Sequence, residues 1–252
     1  MLKPSSKGPS SPSNSEHALA MSEDELKDSP GVRLLGQGAF GRVYAHPGPP
    51  PSAIKHGRVP KEELEGARAA SDIGLGPTVY GASEARKGDA SSMKISMELL
   101  QGHQPLATIM PGALNNEDGA RASAKILLGL ADFHKKGYAH GDLHGCNIMI
   151  DAKGGDGKVL DFGTAEKDNV AKQVKDLQRR QAIGELVTSL VHAVPEKHGD
   201  AILSAISAIP SHRDERLKTP AFQKQAKVLI SNFHTAVREA VDASSLMKKG
   251  AK

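Results

Sequence analysis

The chain has no tryptophan, and phenylalanine and tyrosine bring the aromatics to only 3% of its 252 residues, so its core must be built mainly from aliphatic side chains. It has a single cysteine, which excludes an internal disulfide and a four-cysteine zinc module and fits a reducing compartment. No run approaches 18 apolar residues, so a membrane-spanning helix is not expected. The opening MLKPSSKGPSSPSNSEHALA lacks the apolar centre of a cleavable secretory signal, so export by that route is not expected. An excess of one charge is lacking as well: 33 Lys and Arg against 29 Asp and Glu leave only +4. No dense basic run interleaves with aromatics, and nucleic acid is not expected as a partner. What the chain has in plenty is 26 glycines and 15 prolines, about 16% against a typical ~12%, so turns and flexible segments must be present.

Residues 1–29 are dominated by Ser, Pro, Lys, Asn and Glu, a composition that buries too little apolar surface to offset the entropy of ordering. They read as a disordered leader, followed by a folded domain over 30–245 and a basic tail at 246–252. From Val32 onward, Val32–Leu35, Arg42–Ala45 and Ser52–Lys55 are short β-type runs separated by Gly- or Pro-rich turns. Thr78–Ala82 and Met93–Leu99 supply two further strands. Lys61–Asp72 reads as one helix, stopped by the Gly74-Leu-Gly-Pro77 signal. After Leu100 the pattern turns helical. One run is capped at Asn115 or Asn116 and reaches Lys136, a second covers about 168–193, and a third 200–209. A last helix opens at Thr219-Pro220, with Phe222, Ala226, Leu229, Phe233, Val237 and Val241 in one stripe. The fold class expected is α+β, with a small five-stranded lobe at about 30–100 and a mainly helical lobe at about 101–245.

Three constellations carry chemistry. Gly36-Gln-Gly38-Ala-Phe40-Gly41-Arg-Val43 lies between two strands, whereas a dinucleotide fingerprint needs a helix directly after its glycines. Ala53-Ile-Lys55 follows fourteen residues after Gly41. A helix bearing Glu62, Glu63 and Glu65 comes next; Glu65 is favoured as the partner of Lys55, and Glu62 and Glu63 stay open. The third is His140-Gly-Asp142-Leu-His144-Gly-Cys-Asn147, with Val159-Leu-Asp161-Phe-Gly163 following fourteen residues after Asn147. In it Asp142 suits a group that orients or deprotonates an acceptor hydroxyl. Asn147 and Asp161 offer hard oxygen ligands to Mg2+ (or Mn2+). His140 reads as structural, Phe162 as packing and Cys146 as a small buried residue. A zinc site from His140, His144 and Cys146 is the competing reading.

On these motifs, in this order, Val32–Arg180 resembles the protein-kinase-like superfamily. The resemblance implies two lobes with ATP between them. Gly36, Gly38, Phe40, Gly41, Val43 and Ala53 would then lie around the nucleotide, Lys55 would grip its phosphates, and Met97, Glu98, Leu99 and Leu100 would begin a hinge, reaching Gly102, whose backbone meets the adenine. Lys55, Glu65, Asp142, His144, Asn147 and Asp161 would make up the catalytic set.

The departures matter equally. Gly141 stands where most eukaryotic kinases have arginine, no A-P-E signature follows Asp161-Phe-Gly163, and His144 replaces a phosphate-binding lysine. Control by activation-loop phosphorylation is therefore not expected. Asp176 is either a buried brace of the catalytic loop or an exposed helix charge. The H-G-D-L-H-x-x-N form is shared with aminoglycoside- and choline-type phosphotransferases, but the ninety or so residues after the motif are few for their substrate lobe. With its Ser-rich start, the chain resembles the compact type III effector kinases. That likeness implies a monomeric Ser/Thr protein kinase delivered into a host cytoplasm, acting on a host protein such as a heat-shock chaperone or a ubiquitin-pathway component. A small-molecule kinase, an inactive binding module and a place in the bacterial cytoplasm are the alternatives.

Overall fold

The computed structural model describes residues 18–38, 41–84, 93–178 and 180–247. The chain forms two compact units, one from the residues up to Val59 together with Val79–Leu99, the other from Pro60–Thr78 together with the residues from Leu100 onward. The observed class is α+β, as expected.

The first unit is one antiparallel sheet of β1 (Arg33–Gly38), β2 (Gly41–His46), β3 (Ser52–Gly57), β4 (Val79–Glu84) and β5 (Met93–Glu98), in the order β1-β2-β3-β5-β4. Strand alternation sorts its side chains into two sets. Val43 pairs with Lys55, Ala53 with Met97, and Lys55 with Ile95, so these residues share one face. Tyr44, Ile54 and Ser96 lie in register on the other.

That second face is covered by residues expected to belong to the leader. Residues 18–20 form a helical turn and Glu23–Asp28 a short helix, α1, opened by a capping box between Ser22 and Glu25. Ala18 and Leu26 are fully buried in a cluster with Tyr44 and Ile54. The carbonyl of Leu19 accepts hydrogen bonds from Ser83 and from the Lys94 ammonium, which also donates to the Met21 carbonyl. Folded structure thus begins by residue 18, not at 30; the expectation for residues 1–17 lies outside the described residues.

The second unit opens with α2 (Lys61–Ser71) and contains β6 (Gln104–Pro105), α3 (Glu117–Lys135), β7 (Tyr138–Ala139), β8 (Ile148–Asp151), β9 (Asp156–Val159) and β10 (Glu166–Lys167). α4 (Val170–Leu177), α5 (Arg180–Val191), α6 (Glu196–Ser207) and α7 (Pro220–Ala243) complete it. α2 groups with this unit rather than with the sheet. Its Gly66 is the reason: a Cβ there would lie 2.9 Å from the Ala165 Cβ and 3.1 Å from the Phe162 Cβ, so only glycine lets the helix come this close. α3 is capped by Asn116, whose Oδ1 accepts from Gly119 N at 2.9 Å, and it buries Ile126, Leu127, Leu130 and Phe133 as the central pillar.

The single helix expected over 168–193 is two. Gln178 leaves helical geometry between them, and its side chain accepts from His212 N and donates to the Ile209 carbonyl, tying the break to the segment after α6. α6 itself begins at Glu196 rather than 200. In α7 the buried stripe is Ala226, Ile230, Phe233, Ala236, Val237, Ala240 and Val241; Phe222 and Leu229 are only half-buried. Leu246, placed by the sequence reading in a tail, is buried and accepts from Arg121 Nε at 2.9 Å.

Candidate active site

In the first unit the glycine-rich segment is a β-hairpin between β1 and β2, as its strand context required. Gly36 and Gly38 have open space where a Cβ would project. Gly41 is different: at φ +141° its Cβ would fall 2.2 Å from the His56 carbonyl oxygen, so this glycine is demanded by the neighbouring strand. Phe40 lies outside the described residues. Val43, Ala53, Lys55 and Met97 share the sheet face opposite residues 18–28. Glu98 ends β5 and Leu99 follows it, both half-buried, and Leu100 opens the second unit.

On the covered face Glu23 is a hub. Its Oε1 accepts from Arg42 and from the Tyr44 hydroxyl, both at 2.7 Å, and its Oε2 lies 3.3 Å from His56 Nδ1. Burial alone would raise its pKa, but the hydrogen bonds from Tyr44 and Arg42 and the positive side of His56 bring it down to about 2. Arg42 directly follows Gly41 and His56 directly follows Lys55, so this hub holds both strands beside their motif residues.

In the second unit Asp176 on α4 is fully buried. Its Oδ2 accepts from His140 N at 2.7 Å and from His134 Nε2 at 3.2 Å; its Oδ1 accepts from Gly141 N at 2.8 Å. Of its two readings, the buried brace is the observed one. His134 Nδ1 in turn lies 3.0 Å from Nε2 of His234 on α7. The buried His140 ring accepts from Asp142 N and donates to the Leu160 carbonyl at 2.9 Å. Burial pushes its pKa down, against the pull of Asp176, which suits this neutral ring. With both ring nitrogens engaged, His140 is not available as a zinc ligand, and Cys146 is exposed rather than buried.

Asp142, His144 and Asn147 come together on this loop. Asn147 Nδ2 donates to the Asp142 carbonyl at 3.1 Å and lies 3.3 Å from His144 Nε2, which is 3.6 Å from an Asp142 carboxylate oxygen. Pairing of β8 with β9 brings Leu160 N to the Asn147 carbonyl at 2.8 Å, so Asp161 follows directly beside Asn147's strand. Asp161 is exposed in the left-handed region at φ +60°, an uncommon conformation for a residue with a Cβ. Phe162 behind it is a packing residue, buried against Phe133 and His140.

This donor set fits Mg2+. With Nδ2 of Asn147 committed to protein acceptors, its amide oxygen is the atom left for a cation, and Asp161 adds an exposed carboxylate. Among the described residues no group of three or more His, Cys, Asp or Glu side chains forms a cage for a metal. Two hard oxygen ligands completed by substrate phosphates and water are what Mg2+ commonly takes.

Of the three glutamates open as partners of Lys55, the favoured Glu65 lies on the outward side of α2. It is more than half exposed and pairs with Lys61 at 3.8 Å, whereas Glu63 is the buried carboxylate of α2. The buried positions 63, 66, 67 and 70 define the inward face, and Gly66 was the signal that marked it. The sequence reading also passed over Glu23, His134 and His234, because their pairing is long-range and leaves no local pattern.

Residues 78–192 match the family model described as protein kinase domain. The chain is similar to mitogen-activated protein kinase kinase kinase 17 of Arabidopsis thaliana, 30% identical over 148 residues, covering 54% of this chain and 39% of that protein. It is similar to serine/threonine-protein kinase cot-1 of Neurospora crassa, 30% identical over 156 residues, covering 56% of this chain and 25% of that protein. The match to serine/threonine-protein kinase STE11 of Saccharomyces cerevisiae is 34% over 96 residues, 36% of this chain and 12% of that protein. The chain thus spans well under half the length of these curated relatives. The family match takes in the catalytic loop and Asp161, while the glycine-rich hairpin and Lys55 precede it. Together the matches show a similarity to protein kinase domains centred on residues 78–192.

Proposed function

We propose that this chain is a Ser/Thr protein kinase that uses ATP with Mg2+ (or Mn2+). One observation carries the reading: a fully buried Asp176 fixes the backbone of His140 and Gly141, so that Asp142, His144 and Asn147 stand together one strand pair from Asp161. The metal, when bound, neutralises charge on the transferring phosphates. Asp142 orients the acceptor hydroxyl and takes its proton as the new O–P bond forms and the bond to ADP breaks. Asn147 and Asp161 hold the metal by oxygen, and Lys55 holds phosphate oxygens. The serine/threonine kinase names of the relatives support a protein as acceptor.

The finer reading is a bacterial effector, delivered by a type III system into the host cytoplasm and acting there as a monomer on a host protein. The Ser- and Pro-rich composition of residues 1–17 supports it, and translocation of a reporter fused to the full chain would test it. Radiolabelled ATP with purified protein, offered host lysate and, separately, a panel of aminoglycosides and choline, tests the activity. Label is expected in protein, and is expected to disappear with Asp161→Ala and to fall about 100-fold or more with Lys55→Ala. Label in a small alcohol instead would establish a small-molecule phosphotransferase. Nucleotide binding without transfer to any acceptor would establish an inactive module.

A further inference from the structure

In the β2–β3 ladder Arg42 stands directly opposite His56, so two basic side chains meet on the covered face of the sheet. Such a cross-strand pair repels when both members are charged. Glu23 of α1 joins them: one carboxylate oxygen accepts from Arg42 at 2.7 Å, and the other lies 3.3 Å from His56 Nδ1. The Tyr44 hydroxyl donates to the same oxygen as Arg42. Lys27 also approaches that oxygen, at 3.4 Å, but it lies on α1 itself and ties Glu23 to no strand.

Each of the two basic residues is joined in turn to an element expected to meet phosphate. Arg42 Nε donates to Gln37 Oε1 at 3.2 Å, so the guanidinium reaches across the hairpin to the middle of Gly36-Gln37-Gly38. The His56 carbonyl fills the place a Cβ of Gly41 would take, and its neighbour Lys55 lies on the other face of β3 by strand alternation. One carboxylate thus closes a chain of contacts over β1, β2 and β3 from the face opposite the motif residues. The capping box of Ser22 with Glu25 fixes the helical turn that carries it. Groups held in their binding arrangement beforehand lose less freedom when a ligand arrives.

We infer that Glu23 is a positioning residue for nucleotide phosphates, acting through Arg42 on the glycine-rich hairpin and through His56 on the strand that carries Lys55. Residues 18–28 are then part of the nucleotide-binding machinery, although none of them carries a motif. The inference rests on the protein kinase reading and deepens it.

The test uses the full chain as wild type, Glu23→Gln, Arg42→Gln and the double variant, each at a temperature where urea denaturation shows it to be folded. Each is titrated with ATP and Mg2+ and, separately, with adenosine, which carries no phosphate. Glu23→Gln should weaken ATP binding about tenfold while leaving adenosine binding unchanged, and in transfer assays it should raise KM for ATP without raising KM for the acceptor. The double variant should lose less than the product of the two single losses, because both residues belong to one chain of contacts. Glu23→Gln that binds ATP as the wild type does, ATP and adenosine weakened alike, or single losses that simply multiply would overturn the inference. A wild-type protein that binds no ATP would sink the kinase reading and this inference with it. ATP binding that depends on Glu23, with no transfer to any acceptor, would uphold the inference and sink the kinase reading alone.

Discussion

Gly141 follows the catalytic-loop histidine at φ +81°, and a Cβ placed on it would lie 2.8 Å from the Thr164 carbonyl oxygen. The glycine is thus part of how the loop is folded: Thr164 Oγ1 donates to the His140 carbonyl and Lys175 to that of Gly141. Gly141→Arg, which restores the side chain most eukaryotic kinases carry, is expected to cost about 1–3 kcal/mol in urea denaturation and to lower kcat more than it raises KM. Asp176→Ala strands two buried backbone N–H groups and should cost several kcal/mol, at about 1–3 for each. An unchanged midpoint for either variant would contradict these geometries. Buried histidines give a pH signature. Burial lowers the pKa of His140, and burial together with the positive sides of His134 and Arg238 lowers that of His234 well below 6.5. Each binds its proton more weakly when folded, so the stability they lend is full above about pH 6.5 and declines as pH falls toward the folded values. Denaturation at pH 7.5 and 5.5 should show a drop, smaller in His234→Gln; an equally steep drop would remove His234 as a source. At this scale the motif segments were legible because their spacing is local, whereas which glutamate of α2 is buried was not. Three glutamates crowd one helix, and only Gly66, pressed against Phe162, tells which face is inward.

α1 and the turn before it show what composition hides. Over residues 1–29 serine, proline and charge dominate, and the few apolar residues, Leu19, Met21 and Leu26 among them, are too sparse to signal a packed segment. Yet Leu26 is fully buried, and Glu23 binds three side chains of the sheet. The leader boundary drawn at 29 therefore cuts through the first unit. A chain starting at Ala18 keeps every one of these contacts; a chain starting at Ser29 uncovers Tyr44 and Ile54. We expect the second to be strongly destabilised relative to the first. Leu26→Ala alone should cost about 3 kcal/mol. Equal stability of the two truncations would show that the covering segment is dispensable.

For the whole molecule, class and element order were legible because each strand and helix is bounded by local turn chemistry. The break between α4 and α5 was not, because it depends on Gln178 reaching the segment at 209–212, which lies some thirty residues on. The same long-range logic shapes the segment after Asp161. It runs through a turn at Phe162–Thr164 into β10, which pairs with β7, and α4 starts at Val170. Lys172 closes it by donating to the Thr164 carbonyl at 3.1 Å and pairing with Glu166 at 2.7 Å. A segment this short, already fixed by a strand pair and a lysine, offers no loop for phosphorylation to order, and Gly141 brings no guanidinium to receive a phosphate. On the proposed function, phosphate transfer should therefore need no prior phosphorylation. Protein treated with phosphatase, then freed of it, should transfer phosphate without a lag and within about twofold of the untreated rate. Activity lost on dephosphorylation and restored by a glutamate at Thr164 would mean that the segment switches after all, with the Lys172 contacts belonging to one of two states.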